Sequence, residues 1–126
     1  MLRALVVDDQ GVLSRAEPGM VEVVARLRAQ GVRVGLLSNA EGADHPYDVD
    51  AAVLSGEAGV RKPQRAAYEL VAARLGMTPA ECVFVDDLAG NVQGAVAAGM
   101  VGVLHVGVGR TVDELEVLLG VALHQG

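Results

Sequence analysis

Short runs rich in Val and Leu recur along this chain, and polar or glycine-containing stretches separate them. Short, mostly apolar runs are typical of strands that are buried on both faces of a parallel sheet. We therefore predict five strands, at Leu2–Val7, Val32–Leu37, Ala51–Leu54, Cys82–Val85 and Val101–Val106.

Apolar residues at helical spacing lie between these runs, and the two longest such stretches stop at a glycine, a common helix end. Helices are predicted at 18–31, 64–76, Asn91–Ala98 and Thr111–Leu119. A capping box of Thr111 and Glu114 is expected to open the last helix, and "TPAE", residues 78–81, predicts a brief helical turn. The turn-rich link between Ser38 and Ala51 predicts a loop with room for one helical turn.

Strands and helices alternate along the chain, without internal repeats, low-complexity tracts or linker-like shifts in composition. This order predicts an α/β fold, a three-layer sandwich around a central parallel sheet of about five strands. The 126 residues suit a single domain, predicted at 1–126. Apolar residues make up 52% of the chain and aromatic residues only 2%, so the core must be aliphatic.

Charge and composition narrow the classes of partner. A formal charge of -6 argues against binding to a nucleic acid backbone, and the few aromatic rings offer little surface for stacking bases. Cys82 is the only cysteine, which excludes an internal disulfide framework and suits a reducing compartment. No apolar stretch approaches the length of a membrane span, and no secretory signal is recognisable. The sequence predicts a cytoplasmic protein without a membrane partner.

Polar residues that could bind a ligand or take part in catalysis directly follow the predicted strands. Asp8 ends the first strand, Ser38 and Asn39 end the second, and Asp86 and Asp87 end the fourth. In an open parallel sheet, ligands bind beyond the carboxyl ends of the strands, where the strand order reverses. These side chains should therefore converge, together with Lys62, which stands before the second long helix.

Three carboxylates in one place repel one another unless a cation neutralises them, and oxygen ligands suit Mg²⁺. A lysine, a serine hydroxyl and free backbone amides beside that ion would form a receptacle for a phosphoryl group. An ionised Asp8 could then act as a nucleophile. His105, at the end of the fifth predicted strand, is interpreted as a bystander.

Four motifs in order resemble those of the haloacid dehalogenase-like (HAD) hydrolase superfamily, over nearly the whole chain. They are "VVDDQGVL", "VGLLSNA", "GVRKP" and "VFVDDLAGN". The last is also similar to the corresponding run of the phosphatase-like domain attached to epoxide hydrolases. Each motif alone is weak, but the four together are specific.

The resemblance implies roles for individual residues. Asp8 would be the nucleophile and Lys62 a stabiliser of negative charge. Mg²⁺ would be held by Asp8, the backbone carbonyl of Gln10 and Asp87, with Asp86 assisting and Asn91 behind them. The residues expected at the phosphate are Asp9, Gln10, Ser38, Asn39 and Lys62.

Gln10 departs from the family pattern, because active family phosphatases carry a second aspartate there as general acid and base. An amide does not exchange protons usefully at neutral pH, and that help is typically worth ~10² to 10⁴ in rate. Asp9 does not replace it, since adjacent residues of a strand point to opposite faces. The dehalogenase branch also lacks this acid, but it depends on a cap domain.

Neither usual insertion point holds a cap, because only "SRAEPG" separates Leu13 from the first helix, and the segment between Asn39 and Lys62 is also short. An uncovered site suits a phosphorylated small molecule, an exposed phosphate on a macromolecule, or closure by a neighbouring subunit in a homo-oligomer. Two hypotheses remain. The chain is a Mg²⁺-dependent phosphomonoesterase with activity weakened at Gln10, or a catalytically silent protein that binds phosphate.

Overall fold

The computed structural model describes residues 1–13, 19–40 and 45–123. These residues form a parallel sheet of five strands, in the order β3-β2-β1-β4-β5. The strands are β1 (Ala4–Val7), β2 (Arg33–Ser38), β3 (Ala51–Leu54), β4 (Cys82–Asp86) and β5 (Val101–Leu104). The predicted central parallel sheet is confirmed, with strand boundaries that differ from the prediction by at most two residues.

Helices connect the strands. They are α1 (Gly19–Ala29), α2 (Ser55–Ala58), α3 (Arg65–Arg74), α4 (Ala89–Ala97) and α5 (Val108–Leu119), with a 3₁₀ turn at Pro79–Glu81. The 3₁₀ turn agrees with the prediction from "TPAE", since the Thr78 N–H donates to Glu81 Oε1 at 2.9 Å. None of the helices in the described ranges is long and apolar enough to cross a membrane.

The predicted start of the last helix is wrong. Helix α5 begins at Val108, so "GVGR" supplies its first turn and Thr111 is an interior, buried residue rather than a cap. Val108 packs against the hydrophobic core, which extends the helix beyond its local capping signal. Helix α2 was not predicted, because four residues are too few to show a helical period. Residues 45–50 contain no helical turn, and 41–44 lie outside the described residues.

The sheet carries a core on each face. Alternate strand residues such as Val7 and Val85 face a cluster with α1 and α5, whereas Val6 and Phe84 face a cluster with α3 and α4. This alternation is the pleat of a fully covered sheet, so the predicted three-layer sandwich is confirmed. Tyr68 packs edge-on against Phe84 with ring centroids 5.3 Å apart, in an otherwise aliphatic interior.

The strand order reverses at β1, which lies between β2 and β4. The chain proceeds from β1 to β2 and β3 on one side, then returns to the other side for β4 and β5. Val7 pairs with Val85 in the β1–β4 ladder, so Asp8 and Asp86 follow as neighbours at the carboxyl edge. The Asp8 N–H continues the ladder by donating to the Val85 carbonyl at 3.2 Å. The crevice expected for a ligand therefore opens beside these two acids.

Candidate active site

Three carboxylates meet at the carboxyl edge of the sheet. One side-chain oxygen from each of Asp8, Asp86 and Asp87 lies within 4.8 Å of the others. Asp8 and Asp86 are buried, whereas Asp87 is exposed toward the cleft. Oxygen donors crowded this closely fit a hard divalent cation such as Mg²⁺, because a cation removes their mutual repulsion. The sequence prediction that these acids converge is therefore supported by their positions.

Lys62 is the buried cation of the site. Its ammonium donates to Asp8 Oδ1 at 2.6 Å and to Asp86 Oδ2 at 2.9 Å, and only 4% of the residue is exposed. The Nζ atom also lies 5.7 Å from the centroid of the Phe84 ring, on its face. One ammonium among three carboxylates leaves an excess of negative charge in the cleft.

Asn39 holds the backbone of Lys62 from both sides. Its Nδ2 donates to the Lys62 carbonyl at 3.2 Å, and its Oδ1 accepts the Lys62 N–H at 2.9 Å. The paired bonds connect the end of β2 to the loop before α3. They fix the backbone of Lys62 in the position from which its side chain reaches Asp8 and Asp86.

The electrostatics of the site follow from burial and crowding. Burial raises the pKa of Asp8 from 3.8 to about 6, although the charge and hydrogen bond of Lys62 lower it. The pKa of Asp87 is also raised, by burial first and then by hydrogen bonding to Asp86 and its negative charge. Both carboxyl groups thus hold their protons more tightly than free carboxyl groups do, as expected where a further positive charge would be stabilising.

The raised pKa of Asp8 predicts a pH-dependent stability. In the metal-free protein, the folded chain binds the Asp8 proton more tightly than the unfolded chain, whose reference pKa is 3.8. The stabilisation is complete below that value and is lost as the pH rises through about 6. Urea unfolding in EDTA should show wild type losing on the order of 3 kcal/mol relative to Asp8→Asn between about pH 4 and pH 7. A difference that stays constant with pH would contradict this assignment.

Asp86 accepts hydrogen bonds from several residues of the site. Its Oδ1 accepts the Leu88 N–H at 3.0 Å, and its Oδ2 accepts from Asn91 Nδ2 at 3.1 Å in addition to Lys62. The Tyr68 hydroxyl donates to the Asn91 carbonyl at 2.7 Å and secures the first turn of α4. Asp86 is therefore committed to internal partners, whereas Asp8 and Asp87 face the cleft.

Gly11 lets the chain turn closely past Asp87. It has φ +85°, and a Cβ placed on it would collide with the Asp87 carboxylate. The "DQG" turn thus needs glycine both for its left-handed backbone and for space. The glycine that identifies the first motif is explained by this contact.

Replacing Gly11 with Ala should destabilise the protein more than the same change at Gly31. Gly31 has φ +86°, and apart from its chain neighbours no heavy atom of the described residues lies within 4 Å of the position that an alanine Cβ would take there. Gly31→Ala therefore measures the backbone cost alone, about 1 to 2 kcal/mol. Gly11→Ala adds displacement of Asp87. We expect it to lower the free energy of unfolding further and to reduce the thermal stabilisation by Mg²⁺. Equal effects of the two substitutions on both measurements would refute the contact.

The cleft has a volume of about 300 Å³. Besides Asp8, Lys62 and Asp87, it is lined by Gln10, Gly11, Ser38, Asn39, Ala40, Leu88 and Asn91. Ser38 is 3% exposed, and its Oγ accepts the Ala40 N–H at 3.2 Å. The structure thus gathers Gln10, Ser38, Asn39 and Lys62 of the predicted phosphate-binding set.

Asp9 is not brought into the cleft with the others. Its Oδ1 accepts the Tyr47 hydroxyl at 2.8 Å, away from the cleft-lining residues. The prediction that Asp9 and Gln10 point in different directions holds, and Gln10 is the one that lines the cleft. Tyr47 gave no sequence signal of this contact, because 38 positions separate it from Asp9.

Leu88 and Tyr68 were also missed as site residues. Leu88 directly follows Asp87 and presents a side chain with 59% exposure at the cleft, a position that the fourth motif could have indicated. Tyr68 has the spacing of a core residue of α3 and is fully buried, and its hydroxyl contact with α4 carries no sequence signature.

Comparison with family profiles identifies one family. The profile of the haloacid dehalogenase-like hydrolases matches residues 4–99. The chain is 32% identical over 117 residues to acyl-CoA dehydrogenase family member 10 of Mus musculus, with 86% of this chain and 11% of that protein covered. It is 33% identical over 115 residues to the sesquiterpene phosphatase astK of Aspergillus oryzae, with 84% and 59% covered. The chain thus spans only part of each of these relatives.

A solved structure matches almost the entire chain. The crystal structure of an uncharacterized protein from Corynebacterium glutamicum has a TM-score of 0.87 and 34% sequence identity, and the match covers 97% of this chain and 98% of that one. A protein of nearly equal length therefore shares this fold without a large insertion.

Proposed function

Because the chain belongs to the haloacid dehalogenase-like hydrolase family, we propose that it is a Mg²⁺-dependent phosphomonoesterase that is slowed by Gln10. The observation that carries the proposal is the meeting of Asp8, Asp86 and Asp87, the first two of which pair with the Lys62 ammonium. Relatives with phosphatase names support the reaction class. The substrate would be a phosphate ester whose phosphoryl group fits the cleft beside Ser38.

Asp8 is the nucleophile in this proposal. A carboxylate oxygen forms a bond to phosphorus while the bond from phosphorus to the ester oxygen breaks, and the released alkoxide takes a proton from water. Water then cleaves the aspartyl-phosphate, which regenerates the Asp8 carboxylate and yields inorganic phosphate. Asp8 must be ionised to attack, and the neighbouring Lys62 ammonium favours that form.

The remaining residues bind and orient. Lys62 can stabilise negative charge first on the Asp8 carboxylate and then on the phosphoryl oxygens. The Ser38 hydroxyl can donate a hydrogen bond to one of these phosphoryl oxygens. Asp8, Asp87 and the Gln10 carbonyl would hold Mg²⁺, with Asp86 assisting, and the bound ion would supply positive charge against the phosphoryl group. Asp86 and Asn39 maintain the position of Lys62 through the hydrogen bonds described above.

Gln10 lines the cleft without an ionisable group. It can orient a water or an ester oxygen by hydrogen bonding, but it neither supplies nor removes a proton in the reaction. Esters with acidic leaving groups need little protonation, so aryl phosphates should react faster than alkyl phosphates in this protein.

The experiment is a hydrolysis assay of the full chain with p-nitrophenyl phosphate and a panel of alkyl phosphates, in Mg²⁺ and in EDTA. We expect slow, Mg²⁺-dependent release of phosphate, faster from the aryl ester, and no release by Asp8→Asn. Intact mass spectrometry should detect phosphate on Asp8 in the wild type. Mg²⁺-independent release, or release by Asp8→Asn at the wild-type rate, would overturn the proposal.

A silent phosphate-binding protein is the second candidate, and the loss of the acid at Gln10 in an otherwise assembled cleft favours it. In that case inorganic phosphate should bind in the presence of Mg²⁺, as measured by calorimetry, while no ester turns over. None of the described residues forms a cap domain over the cleft. A macromolecular phosphate as substrate and closure by a neighbouring subunit therefore stay predictions.

A further inference from the structure

His105 follows β5 at the carboxyl edge of the sheet, next to the acids. Its N–H donates to the Asp86 carbonyl at 2.8 Å, which extends the β4–β5 ladder. The residue is 6% exposed, and its Nδ1 lies 2.7 Å from the hydroxyl oxygen of Thr111, a buried residue of α5. The residue is therefore held by β4 at its backbone and by α5 at its ring.

The other ring nitrogen has no partner. Among the described residues, Nε2 of His105 is the one buried side-chain nitrogen or oxygen without a hydrogen bond. Leaving such a group unpaired typically costs about 1 to 3 kcal/mol, and buried polar groups in folded proteins are nearly always paired. An aliphatic residue would fill the same space without that cost, so the unpaired nitrogen points to a partner that it meets in another state.

The sheet register identifies this partner. Val85 pairs with Val103 and Asp86 pairs with Leu104, so the next positions place Asp87 beside His105. Val85 and Val103 both face the core cluster of α1 and α5, and the pleat returns the next-but-one residues to that face. Asp87 and His105, the first residues after β4 and β5, are therefore expected to lie side by side on that face. Consistently, His105 lies close enough to Asp87 to influence the pKa of that carboxyl group.

We propose that His105 is a positioning residue that donates its Nε2–H to the Asp87 carboxylate when Asp87 takes up the divalent cation. In this proposal the Thr111 hydroxyl, 2.7 Å from Nδ1, donates to that nitrogen, so the ring carries its hydrogen on Nε2. The inference rests on the proposed metal site and adds to it a residue outside the cleft lining. Hydrogen bonds behind metal ligands orient them, and losing one typically weakens metal affinity about 10- to 100-fold.

Two amide substitutions separate the roles of the two ring nitrogens. Gln places an amide nitrogen near the position of Nε2, whereas Asn places its amide near Nδ1 and cannot reach Asp87. We expect calorimetric titration of the full chain with Mg²⁺ to show affinity weakened about 10- to 100-fold in His105→Asn and His105→Leu. His105→Gln should stay within about threefold of wild type, because it restores the donor.

A measurement on the wild type keeps the test independent of how the variants fold. Long-range ¹H–¹⁵N spectra should show hydrogen on Nε2 of His105 and a shift of that nitrogen on addition of Mg²⁺. Hydrogen on Nδ1, no shift, or unchanged Mg²⁺ affinity in a folded His105→Asn would overturn this inference alone. A wild type that binds no Mg²⁺ would overturn the metal site of the proposed function as well.

Discussion

Replacing Gln10 with Asp is expected to raise the Mg²⁺-dependent hydrolysis of alkyl phosphates by ~10² to 10⁴-fold. Gln10 lines the cleft with Asp8 and Asp87, so a carboxyl group at this position would lie near the ester oxygen that must be protonated. The gain should be smaller for aryl phosphates, because their leaving groups need little proton transfer. Steady-state assays on both classes of ester measure the two effects.

Gln10→Asn is the matched control for this gain. It has the length of Asp and the amide of the wild type, so it changes the size of the side chain without adding an acid. Its activity should remain near that of the wild type. If Asn raises turnover as much as Asp does, or if neither variant exceeds the wild type, Gln10 does not limit proton transfer.

Replacing Lys62 with Met should abolish hydrolysis and strongly destabilise the protein. Met retains much of the aliphatic volume beside Phe84, but it leaves the Asp8 and Asp86 carboxylates without their ammonium partner. Removing one partner of a buried ion pair typically costs about 3 to 5 kcal/mol. Urea unfolding near neutral pH in EDTA measures this loss. The cost should shrink at about pH 5, where Asp8 without Lys62 takes up a proton.

Arg110→Met is the corresponding control at the surface. Arg110 lies 4.0 Å from Glu114, and both side chains are substantially exposed, so the stability should change by less than about 0.5 kcal/mol. A similar loss in both variants would indicate that charge removal in general, rather than the buried site, destabilises the chain. Unchanged hydrolysis by Lys62→Met would remove Lys62 from the proposed mechanism.

Most of the fold could be predicted from local patterns. Buried parallel strands are continuous apolar runs, and runs such as Cys82–Val85 carry that information within themselves. The site acids were also predictable, because Asp8, Asp86 and Asp87 directly follow such runs and the ends of parallel strands share an edge. Gly11 marked the first motif by its spacing from Asp8, and its close approach to Asp87 supplies the physical reason.

One error arose where a distant contact overrode a local signal. Thr111 has the sequence of a cap, but the packing of Val108 on the core starts α5 one turn earlier and buries Thr111 against His105. His105 was interpreted as a bystander, and the positioning role proposed for it depends on contacts from β4 and α5 that its own sequence neighbours do not reveal. The role of Asp9 at the phosphate stays a prediction, and its side chain contacts Tyr47.

The sequence by itself determined which residue types stand at the strand ends, and therefore that three acids and a serine would share one edge. It also determined that position 10 carries an amide instead of the family's aspartate, since the identity of a side chain does not depend on folding. Only the tertiary structure decided the strand order, the two bonds from Lys62 and the unpaired nitrogen of His105. These depend on distances between residues remote in the chain, and packing of both faces of the sheet sets those distances.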